Sequence, residues 1–478
     1  MAMAEADGTS EDVKILIGDY KRAIWHLSIP IAVALAIQHI NVLVDTFWVA
    51  GLGADPLASI SIVYPVFATV MGIGSGLGIG ASAAIARSIG RDNRKEAGTK
   101  AGQSLLLSIL VSVVLIPILL ITMEPSIILF GGSDILGLCT DYATPLYLAA
   151  FIIILNGIIT GIIRGEGAAK RSMYIQLLSA VVNIIVDPIL IYGLGMGVAG
   201  AAWATVIAFG SSIVLAFYWY FIKKDMYLKI GRKDIKYSPK EMSGVLRVGL
   251  PEATELSVMN IFNIFLNFFV IMVAGTVGVA MYSTGWRVVY LLMIPAQAIG
   301  GAIVSICSAQ YGAEQYGKIR STYYYGVKKT VEMLTLLAIF LFITADLASA
   351  TFTYEGGLAA ERDEMTYMIR VFCIMVPAMS LIFTGSSLLQ SLENANIALA
   401  SSFMRNVMLV VLFAVAAYLI GTPHSLWWFL ILGEVAGGLL MLGLAQWKLS
   451  SFERSKGYPE SYNLSERWRP MTGRRRRI

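Results

Sequence analysis

Long apolar stretches recur along almost the whole chain, each closed by a short polar turn. A helix needs roughly 20 such residues to cross a hydrocarbon core of about 30 Å, because it rises 1.5 Å per residue and satisfies its backbone hydrogen bonds internally. Twelve blocks meet that requirement: 24–50, 57–86, 101–123, 136–163, 172–194, 197–222, 244–273, 279–308, 325–346, 365–390, 397–420 and 425–448. With 57% of its 478 residues hydrophobic and only 14% charged, the chain lacks the polar surface a water-soluble fold requires. The expected fold class is an all-α membrane protein with twelve transmembrane helices.

Lys and Arg concentrate on the cytoplasmic side of membrane proteins, so their positions predict orientation. They gather around Arg87–Lys100, Arg164–Arg171, Lys223–Arg247 and Lys318–Lys329, and in the tail ending Arg474–Arg477. The connections 124–141 and Glu355–Glu364 carry acids and little positive charge, while the turn near Glu393 departs from the pattern with no Lys or Arg until Arg405. Both termini are therefore expected in the cytoplasm of a multi-pass cell-membrane protein. The expected domains are a cytoplasmic tail (1–23), a first lobe (24–222), a cytoplasmic linker (223–243), a second lobe (244–449) and a basic cytoplasmic tail (450–478). That basic tail is expected to meet anionic lipid, not nucleic acid. The opening MAMAEADGTSEDVK has neither the basic start nor the apolar core of a signal peptide. Cys139, Cys307 and Cys373 are odd in number and far apart, which predicts neither a disulfide framework nor a metal motif.

The longest hydrophilic connection, 223–243, sits mid-chain, and similar signals recur on either side of it at separations of about 222–226 residues. Ser28-Ile29-Pro30 answers to Gly249-Leu250-Pro251, Gly90-Arg91-Asp92 to Gly312-Ala313-Glu314, Tyr142 to Tyr367 and Trp203 to Trp427. This spacing predicts two pseudo-symmetric six-helix lobes of parallel topology. The halves differ in their acids. Asp45 falls opposite Asn267 and Asp187 near Phe413, whereas Glu252 and Glu255 fall opposite Ile31 and Ala34.

Those acids are the candidate functional groups. Asn183 and Asp187 lie four residues apart in an apolar run, so their oxygens can converge on one helix face. An Asp near the bilayer centre costs about 2.5–3.5 kcal/mol and therefore needs a reason to be there. Pro188 cannot donate to the carbonyl of Ile184 and predicts a kink beside the acid. Gln38, Asn41 and Asp45 recur at helical spacing in the first span. The structural alternative is that these groups tie helices together. If Asp45 and Asp187 face one cavity they cannot both ionise cheaply, so one keeps a proton or the pair holds a cation.

The glycines at 72, 74, 76, 78 and 80 lack the Lys and Ser/Thr of a phosphate loop and predict close helix packing. Glu252 and Glu255, three apart near the cytoplasmic end of the seventh span, are possible site residues of the second lobe. Met259, Phe262, Phe265, Met272 and Met281 belong to the core or to a cavity suited to bulky cations. Glu434 and Arg287 are further intramembrane charges that could pair across helices. His26, His39 and His424 are scattered, and no nucleotide-binding loop or His/Cys cluster is present, so no enzyme is expected. Any transport must draw on an ion gradient or on the substrate's own.

Several separated motifs resemble one family in the same order. The run P-x14-D-x3-V-x2-L-G, here Pro30, Asp45, Val49, Leu52 and Gly53, is similar to the opening of multidrug and toxic compound extrusion (MATE) transporters. The segments RGEGAAKRSMY (164–174) and NIIVDPILIYGLGMGVAGAAWAT (183–205) resemble the same family, and the Asp with its N-x3-D pair resembles the DinF-like and archaeal branch.

The resemblance implies a V-shaped pair of lobes and an antiporter that expels cationic or amphipathic small molecules against inward H⁺ or Na⁺. It implies a coupling site of Asp45, Asn183, Asp187 and Thr205 that can hold Na⁺ or a proton, with Tyr142 and Asn156 as cavity neighbours and Glu255 as the second-lobe match. The tenth span lacks the acid other members carry, offering only Glu393 near the helix end. No cofactor beyond the coupling ion and a monomeric protein are expected. The alternative in the wider superfamily is a flippase for a lipid-linked sugar, which would grip its pyrophosphate with cavity arginines. A membrane scaffold with packing charges only is the non-transport alternative.

Overall fold

A computed structural model describes residues 11–231, 233–352 and 361–456. The basic cluster Arg474–Arg477 lies outside them. All regular structure among the described residues is helical. The helices are α1 (Glu11–Ile17), α2 (Tyr20–Ala50), α3 (Ala54–Gly90), α4 (Arg94–Leu129), α5 (Leu136–Leu148), α6 (Ala150–Gly165), α7 (Ala169–Pro188) and α8 (Gly197–Phe217). They continue as α9 (Pro239–Leu292), α10 (Ile294–Gly312), α11 (Tyr316–Ile343), α12 (Ala345–Phe352), α13 (Arg362–Ser391), α14 (Ala395–Val415) and α15 (Pro423–Ser455).

Nine of these are long and apolar enough to cross a bilayer, and two bent pairs, α5 with α6 (51°) and α11 with α12 (70°), supply two more. The twelfth comes from α9. A straight 54-residue helix would reach about 80 Å, far beyond a hydrocarbon core of about 30 Å. It is broken at Gly275, whose φ of 64° and ψ of −165° are open to glycine but strained for other residues. The part after Gly275 joins α10 through Met293 to make one crossing. The twelve expected spans therefore map onto the observed helices.

The repeat is visible in the backbone itself. Gly53, between the first two spans, also has a positive φ (118°) and answers to Gly275. Asp92 (φ 57°) ends α3 as Glu314 (φ 56°) ends α10, and Gly167 ends α6 as Glu393 ends α13. Each end closes with the same five-residue bond: Asn93 N–H to Ser88 O, Gln315 to Gln310, Ala168 to Ile163 and Asn394 to Leu389, at 2.8–3.1 Å. This is the Schellman closure, which satisfies carbonyls the helix end would leave orphaned. The fifth and eleventh spans both finish in a π-helical turn, Ile189–Gly193 after α7 and Ala416–Ile420 after α14. Neither contains a proline and only the first directly follows one, so the turn is a property of the repeat and not of Pro188 alone.

Contacts divide the chain into two compact units, Met1–Ile15 with His26–Ile264, and Leu16–Trp25 with Phe265–Ile478. This division crosses α9 and does not fall at the linker. Two observations within the first unit explain it. The beginning of α9 is seated on glycines of α3: a Cβ at Gly76 would lie 2.4 Å from Ala253 N, and one at Gly80 would lie 2.4 Å from Val245 O. The linker is bonded to α4, where Gln103 donates to Asp234 O and Lys236 O (2.9 and 2.7 Å) and accepts from Ser238 N–H (2.9 Å). The segment Leu16–Trp25 joins the second unit because the Trp25 indole donates to the Tyr325 hydroxyl at 3.0 Å.

The alternate glycines of α3 serve two partners. Those at 72, 76 and 80 face α9, while Gly74 and Gly78 face Ile154 and Gly157 of α6. Positions two apart on a helix are separated by about 200°, so a run of alternate glycines makes two nearly opposite seams. The expectation of packing was correct, though its division between two neighbours was not foreseen.

In the second unit the buried core gathers Tyr282, Phe372, Phe413 and Trp427, with the Tyr282 and Trp427 rings stacked 5.8 Å apart. Glu434 is paired here, but with Arg405 of α14 at 2.8 Å and not with the exposed Arg287. Gly437, one turn beyond Glu434, makes this possible, since a Cβ there would meet the Arg405 side chain at 2.5 Å.

Candidate functional site

The structure brings Asp45, Asn183 and Asp187 together. Asn183 and Asp187 are fully buried on α7, and the Asn183 amide donates to Asp187 Oδ1 at 3.3 Å. The Asp45 carboxyl of α2, half-buried, lies beside both the Asp187 carboxyl and the Asn183 amide. Tyr142 of α5 is buried beside both acids and beside Tyr64 of α3. Tyr64 gave no sequence signal, being one of many tyrosines.

The Asn183 amide does not satisfy every oxygen here. Four buried oxygens in this region have no hydrogen-bond partner: Asn41 Oδ1, Asp45 Oδ1, Asn183 Oδ1 and Asp187 Oδ2. Buried polar atoms are rarely left so, because each costs about 1–3 kcal/mol unless something satisfies it. A set of acceptors with no donor is satisfied by a proton or by a bare cation, and its all-oxygen chemistry fits a hard ion such as Na⁺.

The remaining predicted residues are less tightly gathered. Thr205 stands half-buried on α8, which packs against α7, and its hydroxyl is turned to Ala201 O of its own helix at 3.2 Å. Asn156 is buried but donates to the Ser212 hydroxyl, joining α6 to α8. Gln38 is half-buried on α2, one turn before Asn41. Pro188 ends α7 and leads into the π-helical turn. Glu252 and Glu255 face one another near the start of α9 in the first unit, although the sequence had assigned them to the second lobe.

Sequence reasoning missed a further carboxyl. Glu166 follows α6 in the run RGEGAAKRSMY and is only 1% exposed. It accepts from the Tyr220 hydroxyl and, at 3.0 Å, from the Leu228 N–H, which fastens the start of the linker. Burial pushes its carboxyl up to about 7, against the pull of Tyr220, Leu228 and Arg171. An acid raised in the folded state stabilises fully below its unfolded value of 4.5, and that contribution fades as pH climbs through about 7. The swing is roughly 3 kcal/mol. Thermal unfolding in detergent should therefore show wild-type stability falling between about pH 4.5 and pH 7 and levelling above, with the slope reduced in Glu166→Gln. An unchanged slope in the variant would rule out Glu166 as its source.

The neighbouring ion pair behaves oppositely. Burial raises the Asp225 carboxyl, but its bonds to Arg171 (2.7 Å) and Lys223 (2.9 Å) outweigh this and hold it below the usual carboxylate range.

Comparison with known proteins places this arrangement. The chain is 22% identical over 427 residues to the multidrug export protein MepA of Staphylococcus saprophyticus, covering 88% of this chain and 92% of that one. A MOP-superfamily transporter from Pyrococcus furiosus superimposes with a TM-score of 0.90 at 30% identity, over 93% of this chain and 99% of that one. A MATE protein solved in straight and in bent conformations matches at 30% identity with a TM-score of 0.89 for each, over 93% and 94% of this chain and all of that one. The MatE family profile matches twice, over residues 30–189 and 251–416, each match beginning at one of the two prolines, Pro30 and Pro251, that the internal repeat pairs. On this evidence the chain, a multi-pass membrane protein with two copies of the repeat, belongs to the MatE family of multidrug and toxic compound extrusion transporters.

Proposed function

We propose that the protein is a cation-coupled efflux antiporter, in which inward movement of H⁺ or Na⁺ drives export of organic cations or other amphipathic drugs by alternating access. The observation that carries this reading is the set of buried oxygens without a hydrogen-bond partner on two helices, Asn41 Oδ1 and Asp45 Oδ1 of α2 with Asn183 Oδ1 and Asp187 Oδ2 of α7. A cation bound there draws the two acids together, and its departure leaves like charges apposed. An ion that binds one arrangement better than another shifts their populations by that difference.

The names of the MepA relatives, multidrug export proteins, support export of drugs, and a similar chain with straight and bent conformations fits a device with two states. Thr205 joins the oxygen set once its hydroxyl turns from Ala201. Glu252 and Glu255 stay outside this reading. Both termini face the cytoplasm, the basic tail meets anionic lipid, and the working form is a monomer.

The test is export of a cationic dye from vesicles with sodium and pH gradients imposed separately. At least one inward gradient should accelerate export and so identify the ion. Export indifferent to both would end the proposal.

A further inference from the structure

One contact lies a turn beyond the acid pair on each of its two helices. Trp48 follows Asp45 by three residues at the end of α2, and Tyr192 follows Asp187 by five, within the π-helical turn. The Tyr192 hydroxyl donates to the Trp48 carbonyl, and the two rings meet edge to face with centroids 6.3 Å apart.

This carbonyl is one that α2 leaves free. Leu52 N–H reaches only Val49 O (2.9 Å) and Gly53 N–H reaches Ala50 O (3.2 Å), so the last turn tightens and Trp48 O loses its ordinary partner four residues on. Tyr192 therefore caps α2 from another helix. Gly51 keeps the space for it, since a Cβ there would lie 2.3 Å from the Tyr192 hydroxyl oxygen.

The repeat provides an internal control. Tyr418 is the counterpart of Tyr192, and its ring also meets an aromatic ring edge to face at 6.3 Å, that of Phe269, one residue before Val270, the counterpart of Trp48. Among the described residues no hydroxyl bond of Tyr418 is found. An aromatic contact thus recurs in the second half one residue out of register, while the hydroxyl cap is found in the half that carries Asp45 and Asp187.

The structure assigns to Tyr192 the role of a positioning residue that holds Asp45 against Asp187 by capping the Trp48 carbonyl. A link insensitive to charge, placed one turn from a link that depends on it, keeps the two acids in register when the ion leaves. This rests on the coupled-export reading above.

Tyr192→Phe keeps the ring and removes the hydroxyl. In vesicles driven by the effective gradient it should export at the wild-type maximal rate but need about five- to tenfold more of the driving cation for half-maximal rate, the range expected for one lost hydrogen bond. Gly51→Ala, which drives a methyl group into the hydroxyl, should give the same shift. Tyr418→Phe should give none.

Hydrogen exchange on the purified protein reads the contact without transport: segments 46–53 and 189–196 should exchange faster together in Y192F, by about the same factor. Exchange that rises at one segment only, or an unchanged half-maximal cation concentration with a lowered maximal rate, overturns the assignment. If wild-type export proves indifferent to both gradients, the coupled-export reading fails and the exchange result alone decides whether Tyr192 positions the two helices.

Discussion

Asp187→Asn is expected to lower gradient-driven dye export by about 10- to 100-fold, the range of typical coupling free energies, while leaving the protein folded. The asymmetry of those two outcomes follows from the site. Asp187 is wholly buried and rests against Asp45, accepting from the Asn183 amide at 3.3 Å. Replacing one of two apposed carboxyls by an amide removes like-charge repulsion and supplies a donor, so the resting fold does not suffer. What disappears is the difference between ion-bound and ion-free states, and only that difference can bias a conformational equilibrium. The measurement pairs efflux from vesicles with a thermal unfolding scan of the same preparation. Wild-type export from a well-folded variant would remove Asp187 from the coupling mechanism. A variant that fails to fold would assign the acid a structural role instead.

Gly161→Ala is expected to have the largest effect on the fold, costing about 3 kcal/mol or more. A methyl group on Gly161 would lie 2.0 Å from Gly78 O, 2.4 Å from its carbonyl carbon and 2.5 Å from its Cα. These are backbone atoms of α3, held in turn by α9 on the opposite face, so neither helix can withdraw without disturbing a second interface. Gly443→Ala on α15 is the control. No atom lies within 4 Å of its added Cβ, and replacing a helical glycine by alanine at an open position stabilises by up to about 1 kcal/mol. Detergent-extractable, monodisperse protein should fall steeply for the first variant and hold for the second. Equal yields and unfolding midpoints would show that α3 and α6 separate more easily than their geometry implies.

The helical plan was legible because hydrophobic length is a one-dimensional property. Even the break at Gly275 falls between the expected seventh and eighth spans. Asp45, Asn183 and Asp187 could be picked out because a polar side chain in an apolar run is conspicuous, and the repeat marked the two acids as peculiar to one half. Partner choice was less legible, since it is set by three-dimensional space. Glu434 takes Arg405 because Gly437 opens a groove for that side chain, and nothing in the local sequence separates Arg405 from Arg287 as a candidate. Asn156 was grouped with the cavity by resemblance, yet it bonds Ser212 across two helices. Glu166 was overlooked because a glutamate in a basic turn looks solvated, and its burial depends on Tyr220 and Leu228, more than fifty residues away. The π-helical turns were illegible for a further reason: of the three among the described residues none contains a proline and only the first directly follows one, so Ala416–Ile420 has no compositional mark.

The double glycine seam of α3 constrains movement differently along and around the helix. Sliding α3 along its axis against α6 or α9 meets fewer side-chain ridges than usual, because the α3 side of each seam is glycine even where Leu256 stands opposite, and ridges are what ordinarily index one helix against another. Rotation is another matter. Ile73, Leu77 and Ile79 alternate with the glycines, and even a modest roll would push a branched side chain into a gap sized for hydrogen. The helix therefore behaves as a rail, free to travel along its length and barred from turning. Any working cycle of this protein that displaces α3 will do so as a glide.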